Sequence, residues 1–289
     1  MPDTRIAAAG RTAAVTGAGG GLGRETALAL GAKGYRVFGT ALGPAEVADL
    51  KEASGGAVVL TVCDITDESA VKSWAREVGS QTGGHLDLLI QNAGILTPGP
   101  LEVLPLAAIR HEFEVNVFGA LAVTNAFLPA LRQRRGRIVY ISTWTASLPL
   151  PFNGPSGASK AALEVIATIH RAELKPFGID VVIAAPGNMR TGGPAQTGAA
   201  LKRIGDGFTG EQRRLYGKAF DAFASKLNTM QGSGMAADAA AKRVVEIAEE
   251  SPAPILAGVG EEAEGILRFV REKSLVEQDA LRLQLVGLS

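Results

Sequence analysis

Short apolar runs alternate with longer segments of helical period from the first residues almost to the last. The short runs predict strands at Thr12–Thr16, Arg36–Thr40, Val58–Cys63, Leu86–Gln91, Arg137–Ser142, Ile179–Ala185 and Pro254–Ala257. The 3.6-residue spacing between them predicts helices at Leu22–Lys33, Pro44–Ala53, Glu68–Gln81, Ile109–Arg135, Ser156–Lys175 and Ala236–Glu250, with a last helical stretch after Glu261. Strand and helix in turn, joined by short connections, is the pattern of an α/β fold. A parallel sheet needs a crossover after each strand, and the crossovers cover both of its faces. The expectation is one doubly wound parallel sheet of about seven strands in a single domain over residues 1–289.

One segment departs from this rhythm. From Gly187 to Gly234 no strand is evident, and Leu215, Ala219, Phe220, Phe223 and Leu227 fall on one helical stripe with Tyr216 at its margin. A helical insert over about 188–234 is expected there, lying over the sheet as a lid.

Composition narrows the function. Lys and Arg total 29 against 29 Asp and Glu, so no basic footprint points to nucleic acid or to an anionic membrane. The longest uncharged run, Ile138–Ser159, is broken by polar residues and three prolines, and no segment reads as a membrane span. The residues before Gly10 lack the apolar core of a signal peptide. The only cysteine, Cys63, lies in an apolar strand, which fits a reducing compartment, and a cytoplasmic protein is expected. His85, His111 and His170 are scattered, and no metal site is expected.

The 36 glycines cluster instead of recurring with a period. The first strand runs into Thr16-Gly17-Ala18-Gly19-Gly20-Gly21-Leu22-Gly23 and straight on into a helix. Backbone N–H groups, the positive end of a helix dipole and the absence of Cβ atoms are what a pyrophosphate requires. A Rossmann-type dinucleotide site is the reading.

These residues resemble the short-chain dehydrogenase/reductase (SDR) family, whose Thr-Gly-x-x-x-Gly-x-Gly motif is matched by Thr16, Gly17, Gly21 and Gly23. Further matches follow in family order. Asp64 is similar to the family's adenine-contacting Asp, Asn92-Ala93-Gly94 to the motif ending the fourth strand, and Pro186-Gly187 with Thr191 to the segment closing over the nicotinamide. The resemblance implies Asn116, Thr143, Ser156 and Lys160 as the catalytic positions, with Lys160 also on the nicotinamide ribose. It further implies pairing into a homodimer or homotetramer through the two long helices.

Two of the four catalytic positions depart from the family. Thr143 stands where the family has Ser and keeps a hydroxyl. Ser156 stands where the family has its acid Tyr, and an aliphatic hydroxyl is both shorter and a far weaker acid than a phenol of pKa about 10. The site is thus either one with a variant proton path or one disabled by loss of the phenol. Thr40-Ala41-Leu42-Gly43 after the second strand carries neither the acid typical of NAD enzymes nor the base typical of NADP enzymes, which leaves NAD and NADP both open.

Leu96, Trp144, Phe152, Met189 and Tyr216 flank these segments and predict an apolar pocket for a small lipophilic substrate. The expected function is NAD(P)(H)-dependent hydride transfer to or from an apolar alcohol or ketone. Reduction of an enone C=C bond and non-catalytic dinucleotide binding are the alternatives.

Overall fold

The computed structural model describes residues 10–190 and 193–288. Seven parallel strands form one sheet: β1 Thr12–Val15, β2 Arg36–Ala41, β3 Val58–Val62, β4 Leu88–Gln91, β5 Arg137–Ile141, β6 Asp180–Pro186 and, after the short strands β7 and β8 introduced below, β9 Leu256–Val259. Their order is β3-β2-β1-β4-β5-β6-β9. The direction of winding reverses between β1 and β4, which opens a crevice at the carboxyl ends of these two strands.

Both faces of the sheet are buried, and alternate residues divide between them. Ala13, Val15, Leu88, Ile90, Val139, Ile141, Val182 and Ala184 face one apolar layer, and Ala14, Leu89, Ile138, Tyr140, Val181 and Ile183 face the other. The strands therefore read as continuous apolar runs. Helices α1 (Gly21–Ala32) and α9 (Ala237–Glu249) cover the first face. Helices α3 (Glu68–Thr82), α5 (Ala120–Arg134) and α6 (Gly154–Leu174) cover the second, with Trp74 of α3 edge-on to Phe127 of α5 at 4.7 Å. The remaining helices are α2 (Pro44–Ala53), α4 (Leu106–Phe113), α7 (Gly193–Asp206), α8 (Gly210–Gly232), α10 (Glu261–Glu272) and α11 (Leu275–Val286).

Four expectations need correction. The helix expected over Ile109–Arg135 begins at Leu106 and is interrupted by a π-helical turn at Glu114–Gly119. The last strand lies two residues later than expected, because Pro254 has no N–H to give to the ladder. Two short strands, β7 (Met189–Arg190) and β8 (Met235–Ala236), pair across the ends of the insert, where none was expected. Finally, the helical stretch Leu106–Arg134 is long and apolar enough by composition to cross a membrane, although half of its most apolar window is buried within the fold.

The insert consists of α7 and α8. A third apolar cluster joins Phe220 and Phe223 of α8 to Trp144, Leu148 and Leu150 after β5, and to Val286 of α11. α11 also ties down both neighbours by polar contacts, from Arg282 to the Pro149 carbonyl at 2.7 Å and from Lys226 of α8 to the Gln284 carbonyl at 2.8 Å.

Candidate active site

The glycine turn lies at the crevice. Gly17 and Gly21 have φ of +64° and +53°, a region that β-carbon-bearing residues avoid. Gly23 is required by contact: a Cβ there would lie 2.3 Å from the Gly17 carbonyl oxygen and 2.4 Å from Asn92 Nδ2. Side chains of neighbouring strands fix the turn. Thr40 Oγ1 accepts from Gly17 N at 2.9 Å, and Thr16 Oγ1 accepts from the backbone of Asn92 and Ala93 at 2.9 and 3.0 Å. Asn92 Nδ2 donates to the carbonyls of Thr16 and Gly17 at 3.0 and 3.3 Å. The N-terminus of α1 has no side-chain cap and no acid in its first turn, which leaves its N–H groups to an outside acceptor.

A groove of about 570 Å³ follows, lined by the glycine turn, Leu22, Asp64 and Asn92-Ala93-Gly94. Asp64 Oδ1 accepts from the backbone and hydroxyl of Thr66 at 2.9 and 2.8 Å. Thr16 and Gly23 sit behind the wall and shape it. The cradle without Cβ atoms and the bare helix end fit a dinucleotide. Pro186 ends β6, and Gly187 N donates to the Val259 carbonyl at 3.3 Å. Thr191 lies outside the described residues.

Beside the groove is a cavity of about 230 Å³. Thr143, Ser156 and Lys160 line it together, with Leu96, Trp144, Met189, Phe223 and Leu227 among its apolar walls and Gly187 at its edge. The predicted Phe152 and Tyr216 are not among its lining residues. Phe152 packs behind the wall on Phe220 and Phe223 at 5.6 and 5.5 Å. The Tyr216 hydroxyl donates to Glu102, because its side chain lies at the edge of the stripe and points outward.

Thr143 Oγ1 accepts from the backbone and hydroxyl of Thr145 at 3.3 and 3.2 Å, so its own O–H is directed elsewhere. Asn116 does not reach the cavity. It lies on the π-helical turn, fully buried, and clamps the loop after β4: its Oδ1 accepts from Ile95 N at 2.8 Å, and its Nδ2 donates to the Ile95 carbonyl at 3.0 Å and to Ser159 Oγ at 2.9 Å. Asn116→Ala is expected to cost about 1 to 3 kcal/mol in urea unfolding, the price of polar groups left unpaired in the interior.

Lys160 is 8% exposed and donates to the Ile141 carbonyl at 2.8 Å. A Cβ on Gly94 would lie 3.2 Å from its Nζ and 3.1 Å from Asn116 Oδ1, so the ammonium stands between groove and cavity. Burial lowers its pKa to about 8, against the opposing pull of Glu112 and Glu164. Burial raises the pKa of both carboxyls. For Glu112 this is partly offset by hydrogen bonds from Thr97 and by Lys160, and for Glu164 by a hydrogen bond from Ser142 (2.5 Å) and by Lys160.

None of the three tyrosines lines this cavity. The Tyr140 hydroxyl is held between Thr124 Oγ1 and His170 Nδ1, both at 2.8 Å, in the apolar layer under α5 and α6, and burial pushes its pKa up. Tyr35 meets Glu249 at 3.1 Å, close to Arg11. Sequence reasoning missed Glu112 and Glu164, although the signal was present. They lie one helical turn from Asn116 and from Lys160 respectively.

The family model described as short chain dehydrogenase matches residues 11–201, and the chain belongs to that family. Over 187 residues it is 34% identical to YusZ, an uncharacterized oxidoreductase of Bacillus subtilis, covering 63% of this chain and 66% of that protein, slightly less than two thirds of its length. Over 253 residues it is 31% identical to the mitochondrial D-beta-hydroxybutyrate dehydrogenase of Rattus norvegicus, covering 81% of this chain and 74% of that one. A solved short chain dehydrogenase from Burkholderia cenocepacia, in complex with NADP, is similar at a TM-score of 0.72 and 28% identity, over 96% of this chain and 97% of that one.

Proposed function

We propose that the protein catalyses hydride transfer between a nicotinamide dinucleotide and the carbon of an apolar alcohol or ketone, with Ser156 in the place of the family's acid tyrosine. The observation that carries this reading is the convergence of Thr143, Ser156 and Lys160 on one cavity next to the glycine groove, with an apolar side formed by Leu96, Trp144, Met189, Phe223 and Leu227 and further polar groups at Asn153, Asn188, Thr197 and Gln231. Bound NAD(P)H supplies the hydride. The glycine turn and the N-terminus of α1 hold the pyrophosphate, and Asp64 and Asn92-Ala93-Gly94 line its path. Thr143 donates its O–H to the substrate oxygen, and Leu96, Trp144, Met189, Phe223 and Leu227 receive the apolar part of the substrate.

NAD is favoured over NADP. The charged residues lining the groove are Glu46 and Asp64, with neither Lys nor Arg among the described ones, so a further phosphate would meet carboxylates and no cation. Exposed Phe118, Val165 and Ile169, on the π-helical turn and α6, support pairing of two copies over that surface.

A fluorescence titration with NADH and NADPH, followed by turnover on a panel of apolar ketones and enones, tests this reading. NADH is expected to bind about tenfold more tightly, a difference of about 1.4 kcal/mol, and ketones are expected to turn over. Turnover of enones alone would move the reading to C=C reduction. Cofactor binding without any turnover would leave a non-catalytic binding protein, and loss of binding would end the dinucleotide reading. The same assays on Ser156→Tyr separate an adapted site, which gains little, from a disabled one, which recovers about 10²-fold or more.

A further inference from the structure

We propose that Lys160 itself exchanges the proton with the substrate oxygen, reaching the cavity across the space left by Ser156, and that Glu112 is the positioning residue that keeps it charged. The inference rests on the oxidoreductase reading above. Lys160 and Ser156 lie one turn apart on α6 and line the same cavity as Thr143. With a serine at 156, no ring stands between the ammonium and the cavity. Its hydrogen bond to the Ile141 carbonyl leaves two of the three N–H groups without an acceptor among the described residues. No tyrosine shares the cavity, so the ammonium is the strongest acid lining it.

Glu112 has no counterpart in the sequence resemblance. It is fully buried on α4, accepts from Thr97 N at 2.8 Å and from Asn116 Nδ2 at 3.5 Å, and the Oδ1 of that same Asn116 flanks Gly94 together with the ammonium. The charged groups facing Lys160 are Glu112 from α4 and Glu164 from α6 itself. The π-helical turn contributes the neutral Asn116, and β5 contributes a carbonyl. A lone lysine at this depth would shed its proton, and the two carboxylates oppose that loss.

The step balances. As the carbonyl carbon accepts hydride, the C=O π pair moves onto oxygen and takes a proton from Nζ. An N–H bond breaks, an O–H bond forms, and the nitrogen keeps its pair as a neutral amine. Water entering the emptied cavity returns a proton to Nζ. In the oxidation direction the neutral amine takes the alcohol proton.

Two measurements test this. The first is titration of Lys160 Nζ by NMR on 15N-lysine-labelled protein, assigned by the signal lost in Lys160→Met. A midpoint near 8 is expected in the native chain, and one lower by about a unit in Glu112→Gln, where one opposing carboxylate is gone. The second is the pH dependence of single-turnover ketone reduction. It should be level below the Lys160 midpoint, fall about tenfold per unit above it, and move with that midpoint in Glu112→Gln.

A rate that stays flat between about pH 6.5 and 9.5, or one whose midpoint fails to follow the NMR midpoint, would overturn the proposal. So would a gain of about 10²-fold or more in Ser156→Tyr, which would mark the place of the acid as vacant. Glu164→Gln provides a second variant should Glu112→Gln misfold, and both native-chain measurements stand without either. The NMR midpoint needs no turnover, so failure of the oxidoreductase reading would appear separately, as ketones left unreduced at every pH.

Discussion

Replacing Lys160 with Met is expected to lower single-turnover ketone reduction by about 10²- to 10⁴-fold, the range for loss of a positioned acid. The same change is expected to cost about 3 to 5 kcal/mol of stability near pH 7, because it removes the cation that faces Glu112 and Glu164 and leaves each carboxyl to stay charged without it or to take up a proton. The two effects separate with pH. Burial already raises both carboxyl pKa values, and Lys160 pulls them down. Without the lysine they rise further, so the folded variant holds protons that the unfolded chain releases above about pH 4.5. Its stability should therefore fall as pH climbs from 5 to 8.

The native chain behaves oppositely at higher pH. The Lys160 pKa is depressed to about 8 from 10.5. Between those values the unfolded chain binds more protons than the folded one, and this group makes stability rise with pH. Urea unfolding of native and Lys160→Met proteins across pH 5 to 10 checks both slopes. A variant whose stability loss is the same at every pH would mean that Lys160 and the carboxylates do not interact.

Gly23→Val is expected to weaken dinucleotide binding by about 10²-fold or more, equivalent to about 2.8 kcal/mol. The atoms in the way are a backbone carbonyl at 2.3 Å and an amide at 2.4 Å that itself holds the turn closed. A flexible side chain could swing aside, but here the turn itself must move, and with it the wall of the groove. Overpacking of this kind also costs about 1 to 3 kcal/mol of stability. Gly79→Ala in α3, where a Cβ meets nothing within 4 Å, is the control and should leave cofactor binding and stability in place. Fluorescence titration with NADH on both variants, beside their melting curves, separates loss of the site from loss of the fold. Native-like affinity in Gly23→Val would show that the turn is not the pyrophosphate cradle.

The sheet was legible because both of its faces are buried: Val139, Ile141, Val182 and Ala184 had to be as apolar as their neighbours on the other face. The glycine turn was legible because its requirement is local, an absent Cβ. The break in the long helix was not, since the π-helical turn leaves the apolar spacing of Val117, Ala120 and Val123 readable as a single helix. What it accomplishes is to aim Asn116 at the Ile95 backbone, a contact 21 residues away in sequence. The outward turn of Tyr216 was equally hidden, because its partner, Glu102, lies 114 residues earlier. Helical spacing alone tied Glu112 and Glu164 to the site, and spacing carries no information on burial, which is what makes those carboxyls matter.

The cavity beside Lys160 is a composite. Thr143, Ser156 and Lys160 come from the segment after β5 and from α6, while Phe223 and Leu227 come from α8, which α11 pins through its Gln284 and Val286. The helix that carries Lys160 and Ser156 packs into the apolar layer under the sheet, and the α8 wall packs into a separate cluster with Trp144, Leu148 and Leu150. On the proposed reading, exchanges along the α8 stripe would change which molecule is accepted and leave the proton chemistry as it stands, and the choice of substrate would be free to drift faster than the reaction.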